Sequence, residues 1–226
     1  MTTEKAELAF LREENARLMG AFRKRCEDSG KKSPVEPREF EEDKNSIFTV
    51  VVVGGSGDLA TKKLFPSLFL LFAEKGMLPE KTLFVGYARS EMSDDAFHKK
   101  LVSKLPSTPL TADFLAKVHY LHGSYEDMHP LIEGLARIES TMSSTRANRV
   151  FYLSIPPTLF VSAAKAVRDA SGPSNTGGGW TRIVIEKPFG HDLTSSRQLR
   201  CQLSVLFDEQ QVSKKKNFFS IAFYFH

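Results

Sequence analysis

The chain has 226 residues, of which 41% are hydrophobic and 26% charged, a composition typical of a folded protein with a sizeable core. The formal net charge of +4 is mild and the basic residues form no single stripe, so nucleic acid is not expected as a partner. Cys26 and Cys201 give neither a disulfide framework nor metal-ligand spacing, which indicates a reducing, cytoplasmic compartment. The apolar stretches are too short to cross a bilayer and the N-terminus lacks a signal-peptide pattern, so no membrane is expected either.

Residues 1–46 are predicted to be a helical N-terminal extension followed by a charged linker. Apolar residues recur at three- and four-residue spacings over residues 1–28, which predicts a helix. This helix either packs as an amphipathic helix on its own domain or a partner, or forms a short coiled coil for oligomerisation. Residues 29–46 contain two prolines and dense charge, as linkers do. Cys26 is a structural thiol in one interpretation and a redox switch in the other.

The main domain is predicted to begin with a buried strand that ends in a glycine-rich turn. Residues 47–53 are β-branched or apolar, and the letters GGSG at 54–57 lead into a helical pattern from Asp58. A strand that is apolar on both faces is typical of a parallel sheet. A glycine turn that opens a helix presents unpaired N–H groups and the positive end of the helix dipole, and both bind phosphate. The letters GGSGDLA fit the dinucleotide-binding fingerprint in two registers, and Asp58 either caps the helix or takes part in chemistry.

Strands alternate with helices over the rest of residues 47–211. Leu59, Leu64, Leu68, Leu71 and Phe72 are expected to form the apolar face of the first helix, which ends near residue 76. Further strands are predicted at 82–88, 118–121, 149–155 and 181–186, and further helices at 96–105, from Thr111, and at 126–140, 158–170 and 193–210. This order predicts an α/β domain with a doubly wound parallel sheet over 47–211, followed by a basic-aromatic tail at 212–226.

Two residues at strand ends are candidates for ligand binding. Arg89 follows the second strand, where a dinucleotide-binding fold places an acid for NAD or an arginine for the 2′-phosphate of NADP, so NADP is favoured. Lys187 lies in EKPFG at the end of a later strand and can reach a phosphate or a substrate hydroxyl. The alternatives are a solvated arginine and a surface lysine. His119 and His122 lack a third ligand at helical spacing, so no metal is expected.

Four ordered segments, GGSGDLATKKLFP, VGYARS, FYLSIPP and IEKPFGHDLTSS, resemble the N-terminal half of the glucose-6-phosphate dehydrogenase family over residues 46–211. The family turn usually reads GASGDLA, and this chain has Gly55 in place of the alanine. The resemblance implies a Rossmann-like domain that binds NADP. It implies that Arg89 binds the 2′-phosphate, that Lys187 lies between nicotinamide and substrate, and that Phe160 lies near the cofactor. It also implies that the following residues lie along the NADP phosphates and ribose: Gly54, Gly55, Ser56, Gly57, Asp58 and Leu59.

The resemblance ends at residue 211. The family continues with RIDHYLGKE, which carries the catalytic histidine, and then with an antiparallel α+β substrate domain. This chain reads VSKKKNFFSIAFYFH instead, and His226 has none of the flanking residues of that histidine, so no catalytic residue is assigned. The family reaction, in the pentose phosphate pathway, oxidises glucose 6-phosphate to 6-phosphogluconolactone with NADP. The 226-residue chain is therefore expected to bind NADP without turnover, or to be a non-catalytic module that docks on full-length subunits or a second copy.

Overall fold

The computed structural model describes residues 46–74, 77–142, 144, 146–171, 179–185, 199, 202, 203, 206 and 212–214. Several sequence-based expectations lie outside these residues. They are the N-terminal helix and its linker, the Gly- and Ser-rich loop at 172–178, Lys187 with its neighbours, and the tail beyond residue 214.

Six parallel strands form one sheet in the order β3-β2-β1-β4-β5-β6. Their bounds are Ser46–Val53 for β1, Thr82–Ala88 for β2, Val118–His122 for β3, Arg146–Leu153 for β4, Thr181–Ile185 for β5 and Val212–Lys214 for β6. The chain moves outward from β1 to β3 and then crosses to β4 on the other side of β1, so the strand order reverses between β1 and β4. The predicted doubly wound, Rossmann-like sheet is confirmed.

Helices cover both faces of the sheet. Helix α1 is Phe65–Ala73, entered through a wide helical turn at Ala60–Leu64, α2 is Asp94–Val102, α3 is Pro109–Leu115, α4 is His129–Glu139, and α5 is Phe160–Ser171, entered through a short turn at Pro157–Leu159. Because successive side chains of a strand point to opposite faces, β1 contributes Val50 and Val52 to one core layer and Val51 and Val53 to the other. Helices α1, α2 and α3 pack on the first layer, and α4 and α5 pack on the second.

The structure corrects several element boundaries. Helix α2 ends at Val102, α3 begins at Pro109 instead of Thr111, and β4 runs from Arg146 to Leu153 instead of from 149 to 155. Helix α4 begins at His129, because Pro130 fits only the first turn of a helix. Strand β6 lies beyond the expected domain end at 211, so three residues of the expected tail pair with β5.

Leu59 does not belong to the apolar face of the first helix, because its side chain is 45% exposed. The prediction that Leu59 belongs to this apolar face was therefore wrong. Leu59 is five residues before the buried Leu64 and lies in the first helical turn, beyond the sheet. Gly57 and Asp58 before it are exposed as well. None of the helices in the described part of the chain is long and apolar enough to span a membrane.

Candidate cofactor-binding site

The glycine turn lies at the carboxyl end of β1, between β2 and β4. The N–H groups of Gly54 and Gly55 both donate to the carbonyl oxygen of Tyr87 on β2, at 2.7 and 3.0 Å. Gly54 has a φ of +87°, and a Cβ added to it would clash with the carbonyl oxygen of Ser154, the residue after β4. A Cβ on Gly55 would lie 2.7 Å from the Cα of Gly86, so the alanine usual in the family needs a small backbone shift here. The missing side chains therefore let the turn fit between its two neighbours.

The helix that follows begins with backbone donors that have no partner within the helix itself. Thr61 donates to the carbonyl of Gly57 through its N–H at 3.0 Å and through its hydroxyl at 2.9 Å. This is the first hydrogen bond of the helix, so the N–H groups of residues 58–60 have no carbonyl in a preceding helical turn. Such N–H groups, with the helix dipole behind them, favour a negatively charged group at the turn.

Asp58 faces solvent beside the turn. Its carboxylate accepts a 2.7 Å hydrogen bond from Lys62, one turn further along the helix. This hydrogen bond and the charge of Lys62 lower the pKa of Asp58, and the charges of Lys100 and Lys104 lower it further. Asp58 is therefore an ionised residue that is paired with Lys62, and the charges of two further lysines act on it.

Arg89 follows β2 at the same edge of the sheet. Val53 pairs with Tyr87 in the parallel register, so Arg89 stands two residues past the partner of the last β1 residue. Its guanidinium carbon lies 5.5 Å from the centre of the Tyr125 ring, although Arg89 itself is exposed. Burial raises the pKa of Tyr125, whereas the charge and the backbone hydrogen bond of Arg89 oppose this rise. Tyr125 thus contacts the Arg89 guanidinium through a cation–π interaction, while Arg89 stays exposed.

Tyr120 connects the turn to β2 and β3. Its hydroxyl donates to the carbonyl of Ser90 at 2.7 Å. Burial raises the pKa of Tyr120, and the side chain of Ser56 opposes this rise. The Tyr120 N–H donates to Asp94 at 2.7 Å, and Asp94 also contacts His119 at 3.1 Å. The two aromatic residues Tyr120 and Tyr125 were not singled out from the sequence, because their spacing is that of ordinary core side chains.

A third residue that sequence reasoning missed is Lys100. It is exposed near the end of α2, and its ammonium donates to the carbonyl of Ser56 at 2.5 Å. The two residues are 44 positions apart, and nothing in the local sequence pattern connects them. The structure therefore adds a lysine to the residues that surround the turn.

The remaining candidates are placed differently. Phe160, the first residue of α5, is 2% exposed and packs in the second core layer. Its ring is therefore not at the exposed edge of the sheet beside the turn. The hydroxyl of Ser154 is buried without a hydrogen-bond partner among the described residues. Lys187 lies outside them, so its position at the site stays a prediction. His119 pairs with Asp94, and no group of three metal-ligating side chains occurs in the part of the chain that the structure describes.

These features fit a dinucleotide. The glycines of the turn allow a diphosphate to approach the backbone, and the N–H groups at the helix start can donate to it. Arg89 follows the second strand, where this fold binds the adenosine ribose of a dinucleotide. A doubly wound parallel sheet with this turn at its point of strand reversal defines a dinucleotide-binding domain.

Residues 51–218 match the family model described as "Glucose-6-phosphate dehydrogenase, NAD binding domain". The chain belongs to the glucose-6-phosphate dehydrogenase family, as its N-terminal, dinucleotide-binding part. The family suggested by the four sequence segments is thereby confirmed.

The chain is similar to several curated members of this family. It is 39% identical over 181 residues to glucose-6-phosphate 1-dehydrogenase of Takifugu rubripes, an alignment that covers 78% of this chain and 33% of that protein. It is 36% identical to cytoplasmic glucose-6-phosphate 1-dehydrogenase 6 of Arabidopsis thaliana, over 73% of this chain and 34% of the relative. It is 39% identical to the chloroplastic enzyme of Nicotiana tabacum, over 77% and 30% respectively. The chain thus spans about a third of the length of these relatives.

Solved structures agree with this assignment. A glucose-6-phosphate dehydrogenase in complex with its substrate glucose-6-phosphate superposes with a TM-score of 0.68 at 31% identity, over 76% of this chain and 37% of that one. The enzyme from Mycobacterium avium superposes with a TM-score of 0.60 at 26% identity, over 75% and 36% respectively.

Proposed function

We propose that this chain is the NADP-binding part of a glucose-6-phosphate dehydrogenase. It supplies the site for the hydride acceptor when glucose 6-phosphate is oxidised to 6-phosphogluconolactone. The observation that carries the proposal is the arrangement of the glycine turn and Arg89. The turn is tied to Tyr87 by two hydrogen bonds, and Arg89 follows two residues later on the same strand end.

Each part of the site has a separate task in this proposal. The N–H groups of residues 58–60 bind the diphosphate, because they have no partner within the helix and lie at the positive end of its dipole. Arg89 binds the 2′-phosphate through two parallel N–H donors, and Tyr125 fixes the guanidinium beneath it. The bound cofactor supplies the hydride acceptor at its nicotinamide ring.

Two further roles follow from the family resemblance alone. Gly54, Ser56, Gly57 and the first turn of the helix, including the exposed Leu59, lie along the cofactor. Lys187 contacts the sugar between nicotinamide and substrate. The side chain that removes the proton of the C1 hydroxyl is not assigned to any residue of this chain.

Titration of the purified 226-residue chain with NADP and with NAD tests the proposal. Calorimetry should show NADP binding more tightly than NAD. A ligand at a hundred times its Kd stabilises a protein by about 2.7 kcal/mol, so the melting temperature should rise more with NADP than with equal NAD. Equal affinity for the two dinucleotides, or binding of neither, would contradict the proposal.

Turnover by the 226-residue polypeptide is a separate question. A polypeptide with only these residues has no counterpart of the family's histidine segment, and a positioned base contributes about a hundred- to ten-thousandfold to such a reaction. We expect cofactor binding without formation of NADPH in an absorbance assay at saturating glucose 6-phosphate. NADPH formation that copurifies with the chain and is lost in Lys187→Ala would show that these residues include a base.

The cellular location and assembly remain proposals as well. The relatives include a cytoplasmic protein and a chloroplastic one, and we propose the cytoplasm for this chain. Imaging of the full-length gene product with a C-terminal fluorescent fusion distinguishes the two compartments. A second copy or full-length subunits are the proposed protein partners, and sedimentation of the purified chain, alone and mixed with a full-length relative, tests them.

A further inference from the structure

Lys100 lies against the glycine turn without an acidic partner of its own. Its hydrogen bond is to the carbonyl oxygen of Ser56, at 2.5 Å, and no ion pair of Lys100 within 4.0 Å occurs among the described residues. The charge of Lys100 nevertheless acts on the turn, because it contributes to the lowered pKa of Asp58. An ammonium that bonds to a neutral carbonyl keeps its full charge, and two of its three N–H donors stay available.

The position of Lys100 relates it to Arg89. Both residues are exposed and lie beside the glycine turn. Lys100 bonds to the carbonyl of Ser56, and the N–H of the preceding residue, Gly55, bonds to the carbonyl of Tyr87, two residues before Arg89. Lys100 and Arg89 therefore both adjoin the glycine turn, from two different elements, α2 and the end of β2.

We propose that Lys100 is a second cation for the 2′-phosphate of the cofactor, so that Lys100 and Arg89 together determine the preference for NADP over NAD. This inference rests on the proposed function, because it concerns the specificity of the same site. A phosphate that carries more than one negative charge favours two cations, and a lysine adds a point charge to the fixed fork of the arginine.

A purely structural role for Lys100 leads to a different expectation. If its bond to Ser56 only held α2 against the turn, its loss would displace the turn and weaken NADP and NAD to the same extent. A role in specificity weakens the ligand that has the 2′-phosphate and spares the one that lacks it.

The experiment compares Lys100→Gln with Lys99→Gln in the full 226-residue chain. Lys99 is the neighbouring exposed lysine on α2, so both variants lose one charge from the same helix. Glutamine keeps a hydrogen-bond donor for the Ser56 carbonyl. We expect Lys100→Gln to weaken NADP roughly tenfold while NAD stays within about twofold, and Lys99→Gln to change neither by more than about twofold. Lys100→Arg should retain most of the NADP affinity.

The probes 2′,5′-ADP and 5′-AMP isolate the phosphate in question, and the same selective loss is expected for 2′,5′-ADP. Equal losses for both members of a pair, or no loss in Lys100→Gln, would overturn the inference. If the unchanged chain prefers NADP and Arg89→Ala removes that preference while Lys100→Gln does not, this inference fails and the proposed function stands. If the unchanged chain shows no preference, both fail.

Discussion

The backbone N–H of Gly54 donates a 2.7 Å hydrogen bond to the carbonyl oxygen of Tyr87, one strand away. Tyr87 is the partner of Val53, the last residue of β1, so this bond ties the first residue of the glycine turn to the end of the β1–β2 pair. It places the turn within a few residues of Arg89, so the proposed backbone site for a diphosphate and the proposed side chain for a ribose phosphate lie on adjacent strands.

The first prediction concerns the fit of Gly54. Gly54→Ala combines a positive φ with a clash against the carbonyl of Ser154, and backbone strain alone costs about 1–3 kcal/mol. Gly57→Ala is the matched control, because its Cβ would meet only the carbonyl of Gly54, at 3.1 Å. Urea unfolding, followed by the fluorescence of the single tryptophan, Trp180, should show a clear loss of stability for Gly54→Ala and a small one for Gly57→Ala. A loss in Gly54→Ala no larger than that in Gly57→Ala would contradict the strain and the clash assigned to position 54.

The second prediction concerns a buried ion pair that is not part of the site. Glu139 at the end of α4 accepts hydrogen bonds from Arg149 on β4, at 2.6 and 3.0 Å, and one from Thr49 on β1, at 2.8 Å. Both charged side chains are almost fully buried, at 7 and 8% exposure. Glu139→Ala leaves Arg149 buried without this carboxylate, and breaking such a pair costs about 3–5 kcal/mol.

The matched control is the exposed pair of Arg168 and Asp169 on α5, whose side chains are 42 and 43% exposed. Asp169→Ala should change the free energy of unfolding by about 1 kcal/mol or less, since exposed ion pairs contribute little. A loss in Glu139→Ala no larger than that in Asp169→Ala would mean that the buried pair does not hold α4 to the sheet.

The third prediction uses Tyr87, whose pKa is raised from 10.0 to about 12 by burial, with smaller contributions from Asp127 and Tyr125. The unfolded chain ionises this tyrosine near its ordinary pKa, while the folded chain keeps it protonated. The folded state then binds more protons, so the stability that Tyr87 contributes is complete below about pH 10 and is lost as the pH rises towards about 12. The free energy of unfolding of the unchanged chain should therefore fall relative to that of Tyr87→Phe over that interval. A difference that is constant with pH would contradict the raised pKa.

The sequence predicted the sheet well because its strands are continuous apolar runs. β1 and β2 are buried along almost their full length, and the predicted bounds of β2 match those observed. The glycine turn and Arg89 were found because both are defined by their neighbours in the sequence. A strand end followed by glycine or arginine has a known place in a doubly wound sheet.

The features that were missed depend on contacts between distant residues. The wide turn at Ala60–Leu64 changes the spacing of the apolar residues, and the sequence does not reveal this turn. The prediction therefore placed Leu59 in the core although it is exposed. Tyr125 reaches the site from the loop between β3 and α4, and Lys100 reaches it from α2. No local pattern shows which side of a helix or loop meets the turn. The short strand β6 has too few residues for its pairing to be predicted from composition.

The central claim is that Arg89 at the end of β2 makes this an NADP site. The direct measurement is the ratio of NADP to NAD affinity in the unchanged chain and in Arg89→Ala, by calorimetry at fixed salt. A charge-assisted contact contributes roughly 1.5–3 kcal/mol, so the ratio should fall about ten- to a hundredfold in the variant while NAD affinity changes little. A ratio that is the same in both proteins would contradict the assignment of Arg89 and, with it, the account of the site.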